Sequence, residues 1–190
     1  MPAVTTGEAG RADVIGALDH GLLAKPLEFI LADHLRQRNL CRLLDRLAEE
    51  PLLDHDLAEA LADHLAGDMA IHVLDEEEDL FPLLRRRAKA EDEVERVLGL
   101  LSREHAEDDR AAETIAARLR EAVAAKHRSL DEEVRSALRG FAHRQRRHLA
   151  VENAIVMPLA EARLTVKDLQ GLARRMAVRR GLHLRPGASP

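Results

Sequence analysis

One five-residue pattern occurs twice in this chain, each time with a proline at the same distance behind it. His72-Val-Leu-Asp-Glu76 is followed by Pro82, and His148-Leu-Ala-Val-Glu152 by Pro158. Residues four apart on an α-helix lie one above the other on the same face. Each copy therefore points an imidazole and a carboxylate the same way, which lets one helix give two ligands to one metal site. A chain that carries this device twice must bring two such helices together around a shared interior.

The composition favours a helical solution. Ala, Leu, Arg, Glu and Asp dominate, Trp and Tyr are absent, and only three Phe occur. That mixture suits helices packed on aliphatic seams and is poor for sandwiches or barrels built from β-branched and aromatic residues. With 190 residues, one domain with a substantial core is expected. The net charge of −5 argues against a nucleic-acid binder dominated by phosphate contacts. The single cysteine, Cys41, excludes an internal disulfide framework and a multi-cysteine zinc site, and fits a reducing compartment. Residues 1–25 lack a basic start, and Asp19 and His20 break their apolar run, so they do not read as a signal peptide. No stretch is long and apolar enough to span a bilayer. The expectation is a cytoplasmic protein with neither a membrane nor a nucleic-acid partner.

Taken in order, residues 1–25 read as an irregular arm, with some local helix around Val14 to Leu18. Pro26 suits the first turn of a helix, and Leu27, Ile30, His34, Cys41, Leu44 and Ala48 recur at helical spacing up to Pro51. A second helix is expected from Asp54–Asp56, with Leu61, Leu65, Met69, His72, Glu76, Leu80 and Leu83 on one stripe. Pro82 should kink or loosen its end, and Arg85, Arg86 and Arg87 suit the C-terminal pole of its dipole. The third helix should begin near Glu91, with Val94, Leu98, Leu101, His105, Ala112, Ile115, Leu119 and Val123 on its seam. After a turn at 127–129, a fourth carries Leu138, Phe141, Gln145, His148, Glu152, Ile155 and Leu159. Thr165 and Asp168 mark the start of a short fifth helix reaching about Arg180, and residues 184–190 read as a tail. The expected fold is all-α: an antiparallel up-down four-helix bundle over 26–162, an N-terminal arm (1–25) and a C-terminal helix and tail (163–190).

The chain also repeats as a whole. His34 followed by His72, Glu76 and Pro82 corresponds to His105 followed by His148, Glu152 and Pro158, and the residue before each lone His is acidic (Asp33, Glu104). This predicts two helical hairpins facing each other across a pseudo-twofold axis. Four histidines and two glutamates then fall on inward seams. Burying two carboxylates among aliphatic side chains costs several kcal/mol each unless they are paired or bind metal. A dinuclear cation site removes that cost: two bridging carboxylates and two histidines per ion give each ion four protein ligands. Imidazole and carboxylate without thiolate suit iron or manganese, and zinc or copper would also bind such atoms. The duller alternative is that these residues are exposed or form buried His–Glu pairs.

These residues, with Leu80-Phe81-Pro82, Glu104-His105 and Met157-Pro158, resemble the hemerythrin-like, or HHE cation-binding, domain family over about residues 26–162. The resemblance implies a four-helix bundle holding a non-heme di-iron centre with an oxo or hydroxo bridge. Glu76 and Glu152 would bridge, and His34, His72, His105 and His148 would be terminal ligands; manganese or zinc would be accommodated as well. Oxygen-carrying relatives have a second His four residues after that of the third helix, where this chain has Asp109. They also have an Asp five residues after the fourth-helix His, where this chain has Glu152 at four. Asp109 is therefore a candidate seventh ligand or an acceptor orienting His105. The departures argue against a reversible oxygen carrier.

Several residues carry less weight. Cys41 lies about 10 Å along the helix from His34 and reads as core. Gln37 and Arg38 could line the site. His64 and His143 fall about 80° and 140° around their helices from His72 and His148, away from the site. The acidic run Asp75–Asp79 reads as a solvated face with only Glu76 turned inward. Arg174, Arg175, Arg179 and Arg180 read as a solvated face, with a partner or anion surface as the alternative. The expected function is a di-iron protein that binds oxygen, nitric oxide or peroxide for sensing, iron or redox handling, or peroxide removal. No general acid identifies it as an enzyme. The rivals are an iron-responsive module without turnover and a histidine phosphotransfer bundle; the sequence names neither a protein partner nor an oligomeric state.

Overall fold

The computed structural model describes residues 14–184. Most of the expected N-terminal arm (1–13) and of the tail (185–190) lies outside the described residues. Within them the protein is all-α, without strands. Helix α1 spans Pro26–Glu49, with Pro26 in its first turn. The second rod is segmented: α2 (His55–Ala66), a break at Gly67, α3 (Asp68–Leu74), a π-helical turn (Asp75–Leu80) and α4 (Phe81–Arg87). Helix α5 is Val94–Ala124. The fourth rod comprises α6 (Glu132–Val151), a second π turn (Glu152–Val156) and α7 (Met157–Arg163). Helix α8 is Val166–Arg179.

Local chemistry accounts for most of these boundaries. Asp54 and Asp131 accept backbone N–H bonds from Leu57 and Val134 and so cap α2 and α6. Thr165 and Asp168 form a reciprocal capping box at the start of α8. Helix α5 starts three residues later than the sequence suggests, because Ala90–Asp92 form a 3-10 turn and Glu93 takes a left-handed φ of 46°. No helix forms around Val14 to Leu18; the arm is ordered instead by a 3-10 turn, His20–Ala24, with Leu23 and Ile15 buried.

Both π turns have one cause. Proline has no N–H, and its ring crowds the carbonyl four residues earlier. Ahead of Pro82 and Pro158 the ladder widens, so that Phe81 N–H bonds to the Glu76 carbonyl and Met157 N–H to the Glu152 carbonyl. The extra residue advances the phase of the helix. Ile155, expected on the seam, is 44% exposed, and Val156 is buried in its place.

Contacts between rods run in opposite chain directions. Asp33–His72, Arg36–Asp68 and Arg46–Asp54 join the first rod to the second. Glu77–Ser102 and Asp63–Arg120 join the second to α5. Asp131–Arg118 and Arg144–Asp108 join α5 to α6, while Gln37–Gln145 closes the ring between α1 and α6. This is the arrangement of an up-down bundle. Its interior holds two apolar clusters: one around Leu44, Leu61, Leu119 and Phe141, the other around Phe29, Leu80, Phe81 and Met176. Every rod passes from one cluster to the other, and the candidate ligands lie between them.

Because Leu138 is fully buried in the first cluster, Leu138→Ala should cost about 2–5 kcal/mol, while loss of the cap in Asp131→Ala should cost about 1 kcal/mol. Urea unfolding of the two variants beside the parent checks both values.

Candidate metal centre

His34, His72, Glu76, His105, His148 and Glu152 are all buried, with Glu76 and Glu152 at 0% exposure. Seam position puts them there. On α1, His34 falls between Ile30 and Leu40; on the second rod, His72 and Glu76 fall between Met69 and Leu80. On α5, His105 sits between Leu101 and Ala112, and on the fourth rod His148 and Glu152 sit between Phe141 and Val156. The histidines pair across the interior. The rings of His34 and His72 are 5.1 Å apart, and those of His105 and His148 are 4.6 Å apart.

Their donor atoms form two overlapping groups, each able to hold a cation: His34, His72, Glu76 and Glu152; and Glu76, His105, His148 and Glu152. In each group the atoms lie within 4.8 Å of one another. Both carboxylates belong to both groups and each His pair to one.

Distances separate a cation site from a set of buried ion pairs. His34 Nε2 is 3.6 Å from Glu76 and 3.4 Å from Glu152; His72 Nε2 is 3.5 Å from Glu76; His105 Nε2 is 3.3 Å from Glu76 and 3.7 Å from Glu152. Good N–H···O bonds are about 2.7–3.2 Å, so these are too long. His148 Nε2 is 2.9 Å from Glu152 Oε1, yet that oxygen still has no hydrogen bond. Both oxygens of Glu76, both of Glu152, and Nε2 of His34 and His105 are buried without a hydrogen-bond partner. Atoms bound at about 2.1 Å to one ion lie about 3.0–3.4 Å apart, close to the spacing seen. An orphaned buried polar atom costs about 1–3 kcal/mol, more if charged. A cation in each group would satisfy all six.

The outer ring nitrogens are anchored, which leaves each Nε2 facing inward. His72 Nδ1 pairs with Asp33 (3.1 Å), His148 Nδ1 with Glu104 (3.0 Å), His105 Nδ1 with Glu77 (2.6 Å) and His34 Nδ1 with Asn153 Oδ1 (2.8 Å). An acceptor on Nδ1 keeps the proton there, orients the ring and raises the basicity of Nε2. These four anchors obey the repeat: Asp33 and Glu104 each precede a candidate His, and Glu77 and Asn153 each follow a candidate Glu. The acidic pair was visible in the sequence, but its role was not, because each acid serves a histidine on another rod. The one unequal pair is Glu77 and Asn153, a carboxylate opposite a neutral amide.

In the metal-free protein the cluster behaves as a set of opposed charges. Burial and the charge of Glu152 push the Glu76 carboxyl up, but His72, His105 and His34 outweigh them and hold it below the usual value. Burial likewise opposes ionisation of Glu152, yet His105, His148 and His34 hold it well below its usual value. Burial disfavours the imidazolium of His72, but Glu76 and Asp33 raise it to about 9; His105, beside Glu152, Glu76 and Glu77, is raised against burial to about 12.

Other expected residues fall elsewhere. Asp109 is exposed and belongs to neither group. The buried seam of α5 runs His105, Asp108, Ala112, Ile115, Leu119, so the first step is three and Asp109 is left outside. Asp108 pairs with Arg144, and the acceptor on His105 is Glu77. Arg38 is exposed, whereas Gln37 is buried and accepts from Gln145 Nε2 at 2.8 Å, one turn from the histidines. Cys41 is core, and burial raises its thiol to about 11. His64 is buried beside Asp68, outside both groups, and His143 is exposed. The acidic run is not a solvated face. Asp75 and Asp79 are 1% and 3% exposed and meet Arg175 and Arg179 of α8 and Arg180 just after it, so these three arginines are engaged, while Arg174 is exposed as expected. The missed signal was the match of acids at 75, 78 and 79 with arginines at 175, 179 and 180.

The charge pattern sets a pH dependence. A His raised in the folded state contributes stability that is complete below its ordinary 6.5 and is lost as pH climbs; for His72 the loss runs through about 9. The lowered glutamates contribute stability present above their ordinary 4.5 and lost as pH falls. The metal-free protein should therefore melt highest between about pH 4.5 and 6.5 and lose stability towards pH 9. Added divalent cation should reverse that slope, since cation and proton compete for the same nitrogens. Thermal melts across pH, with chelator and with metal, check both arms.

No helix among the described residues is long and apolar enough to cross a membrane. Curated proteins give no sequence match. Residues 25–160 match the family described as the Hemerythrin HHE cation binding domain, nearly the stretch that carries the bundle and all six buried donors. With most of its length so matched, and with His/Glu groups built to hold a cation at its centre, the chain belongs to the hemerythrin HHE cation-binding family.

Proposed function

We propose that this protein holds two iron ions and binds a small molecule (oxygen, nitric oxide or peroxide) as a sensing or redox-handling module. His34 and His72 would hold one ion, His105 and His148 the other, and Glu76 and Glu152 would span both. The observation that carries this reading is the convergence of orphaned, fully buried carboxylate oxygens and imidazole nitrogens on two overlapping positions. Bound iron would supply one-electron chemistry and positions open to an exogenous ligand, because four protein atoms leave an octahedral ion incomplete.

The chain's own residues do the rest. Asp33, Glu104, Glu77 and Asn153 fix the four imidazoles. The two apolar clusters wall off the band above and below, which lowers the local dielectric and excludes water. The Gln37–Gln145 amides lie one turn from His34 and His148 and hold no titratable proton. That favours binding over turnover. A histidine phosphotransfer role is disfavoured, since it needs one exposed His and gives no reason for four buried seam histidines around two buried glutamates.

Elemental analysis should return about two irons per chain. With no Trp or Tyr, the protein should be nearly transparent near 280 nm, so iron charge-transfer absorption in the near ultraviolet would stand out. His148→Ala should lower iron content and melting temperature together, because a ligand at about 1,000 times its Kd stabilises the native state by about 4 kcal/mol. An unchanged iron load in that variant would contradict the assignment. Oxygen release from added peroxide beyond that of free iron would move the reading from binder to peroxide-disproportionating enzyme.

A further inference from the structure

Helix α8 lies beyond the residues matched to the family, yet it grips the turn that carries Glu76. Arg179 bonds to Asp75, to Glu78 (3.2 Å) and to Asp79 (2.8 Å); Arg180 bonds to Asp75 (2.6 Å); and Arg175 bonds to Asp79. The guanidinium of Arg180 also lies 4.7 Å over the ring of Phe29. Asp75 and Asp79 are buried, and the side chains of Arg179 and Arg180 are only 16% and 9% exposed. Pairs of this kind differ from exposed ion pairs, which contribute little: removing one partner strands a buried charge.

The turn has reason to need such ties. Five consecutive acids, Asp75 to Asp79, sit on one widened helical turn, and their mutual repulsion favours opening towards water. The arginines neutralise Asp75, Glu78 and Asp79 on the side facing α8, while Glu76 points the other way, into the bundle. The twin turn at Glu152–Val156 carries no acid besides Glu152 and, among the described residues, meets α8 through the apolar cluster of Val156 and Met176 and through no arginine.

We propose that Arg179 and Arg180 are positioning residues for Glu76, so that seating of α8 and cation binding in the bundle reinforce each other. This rests on the metal-centre reading above and gives it an output. By reciprocity, whatever α8 contributes to cation affinity, a bound cation returns to the seating of α8. Occupancy of the buried centre is thereby transmitted to a surface helix.

The test uses the full chain and ferrous iron, titrated anaerobically against a chromophoric chelator. The double variant Arg179→Gln/Arg180→Gln should bind iron about 10–100-fold more weakly. Charge alone predicts the opposite sign, since removing two cations near a cation site strengthens binding. Unchanged or tighter binding therefore overturns the proposal. Arg87→Gln removes the nearer of the two arginines that meet Asp168 of α8 (Arg86 is the second, at 3.5 Å), away from Glu76, and should lower the melting temperature while leaving iron affinity within about twofold. An equal loss of affinity there would reduce the effect to general loosening and also overturn the proposal. Hydrogen exchange of the unmutated protein keeps the test open should the double variant not fold: α8 amides should be better protected with iron than with chelator, and equal protection overturns the coupling. Failure of the unmutated chain to bind a pair of ions would instead sink the metal-centre reading itself.

Discussion

Two carboxylates, Glu76 and Glu152, sit fully buried in a band of imidazoles between two aliphatic clusters, and their oxygens have no hydrogen bonds. The bundle must answer that placement. Helices would pack at least as well with leucines at these seam positions, so packing alone gives no reason for them. What the arrangement provides is two overlapping His/Glu groups able to hold a cation, with the opposed charges of His and Glu as their metal-free compromise. Each outer anchor then follows from the need to aim a lone pair inward.

The repeat explains how a chain with little aromatic content builds such a centre. One hairpin supplies His34, His72 and Glu76, the other His105, His148 and Glu152; each orients one of the other's rings through Glu77 or Asn153 and one of its own through Asp33 or Glu104. Neither hairpin completes the site alone. The two prolines belong to the same device: by widening the helix at each Glu they set the phase of the seam beyond it. Symmetry fails at Glu77 against Asn153, and again at α8, which grips only the first of the two turns.

That these six side chains turn inward and meet was legible because the physics that places them is local. A spacing of four fixes one helical face, and a proline six residues after the Glu marks the same backbone event twice. The rod boundaries at Pro26, Asp54 and Thr165 were legible for a similar reason, since caps and first-turn prolines act within one turn. Where the reading went astray, the deciding interaction was remote or broke the period. Ile155 was placed inside because a uniform helical repeat ignores the residue that a π turn inserts. Asp109 was offered as a candidate by analogy with relatives, whereas the seam of α5 steps by three at that point and leaves it exposed. The run Asp75–Asp79 read as solvated because its partners lie about a hundred residues further along the chain. No local pattern connects the two.

The central claim is that Glu76 and Glu152 are shared between two ions. Anomalous X-ray scattering from crystals of the iron-loaded protein tests it most directly. The account predicts two peaks about 3.5–4 Å apart, one beside His34 and His72, the other beside His105 and His148, with Glu76 and Glu152 touching both. A single peak, or two peaks with either glutamate turned away from them, would contradict it.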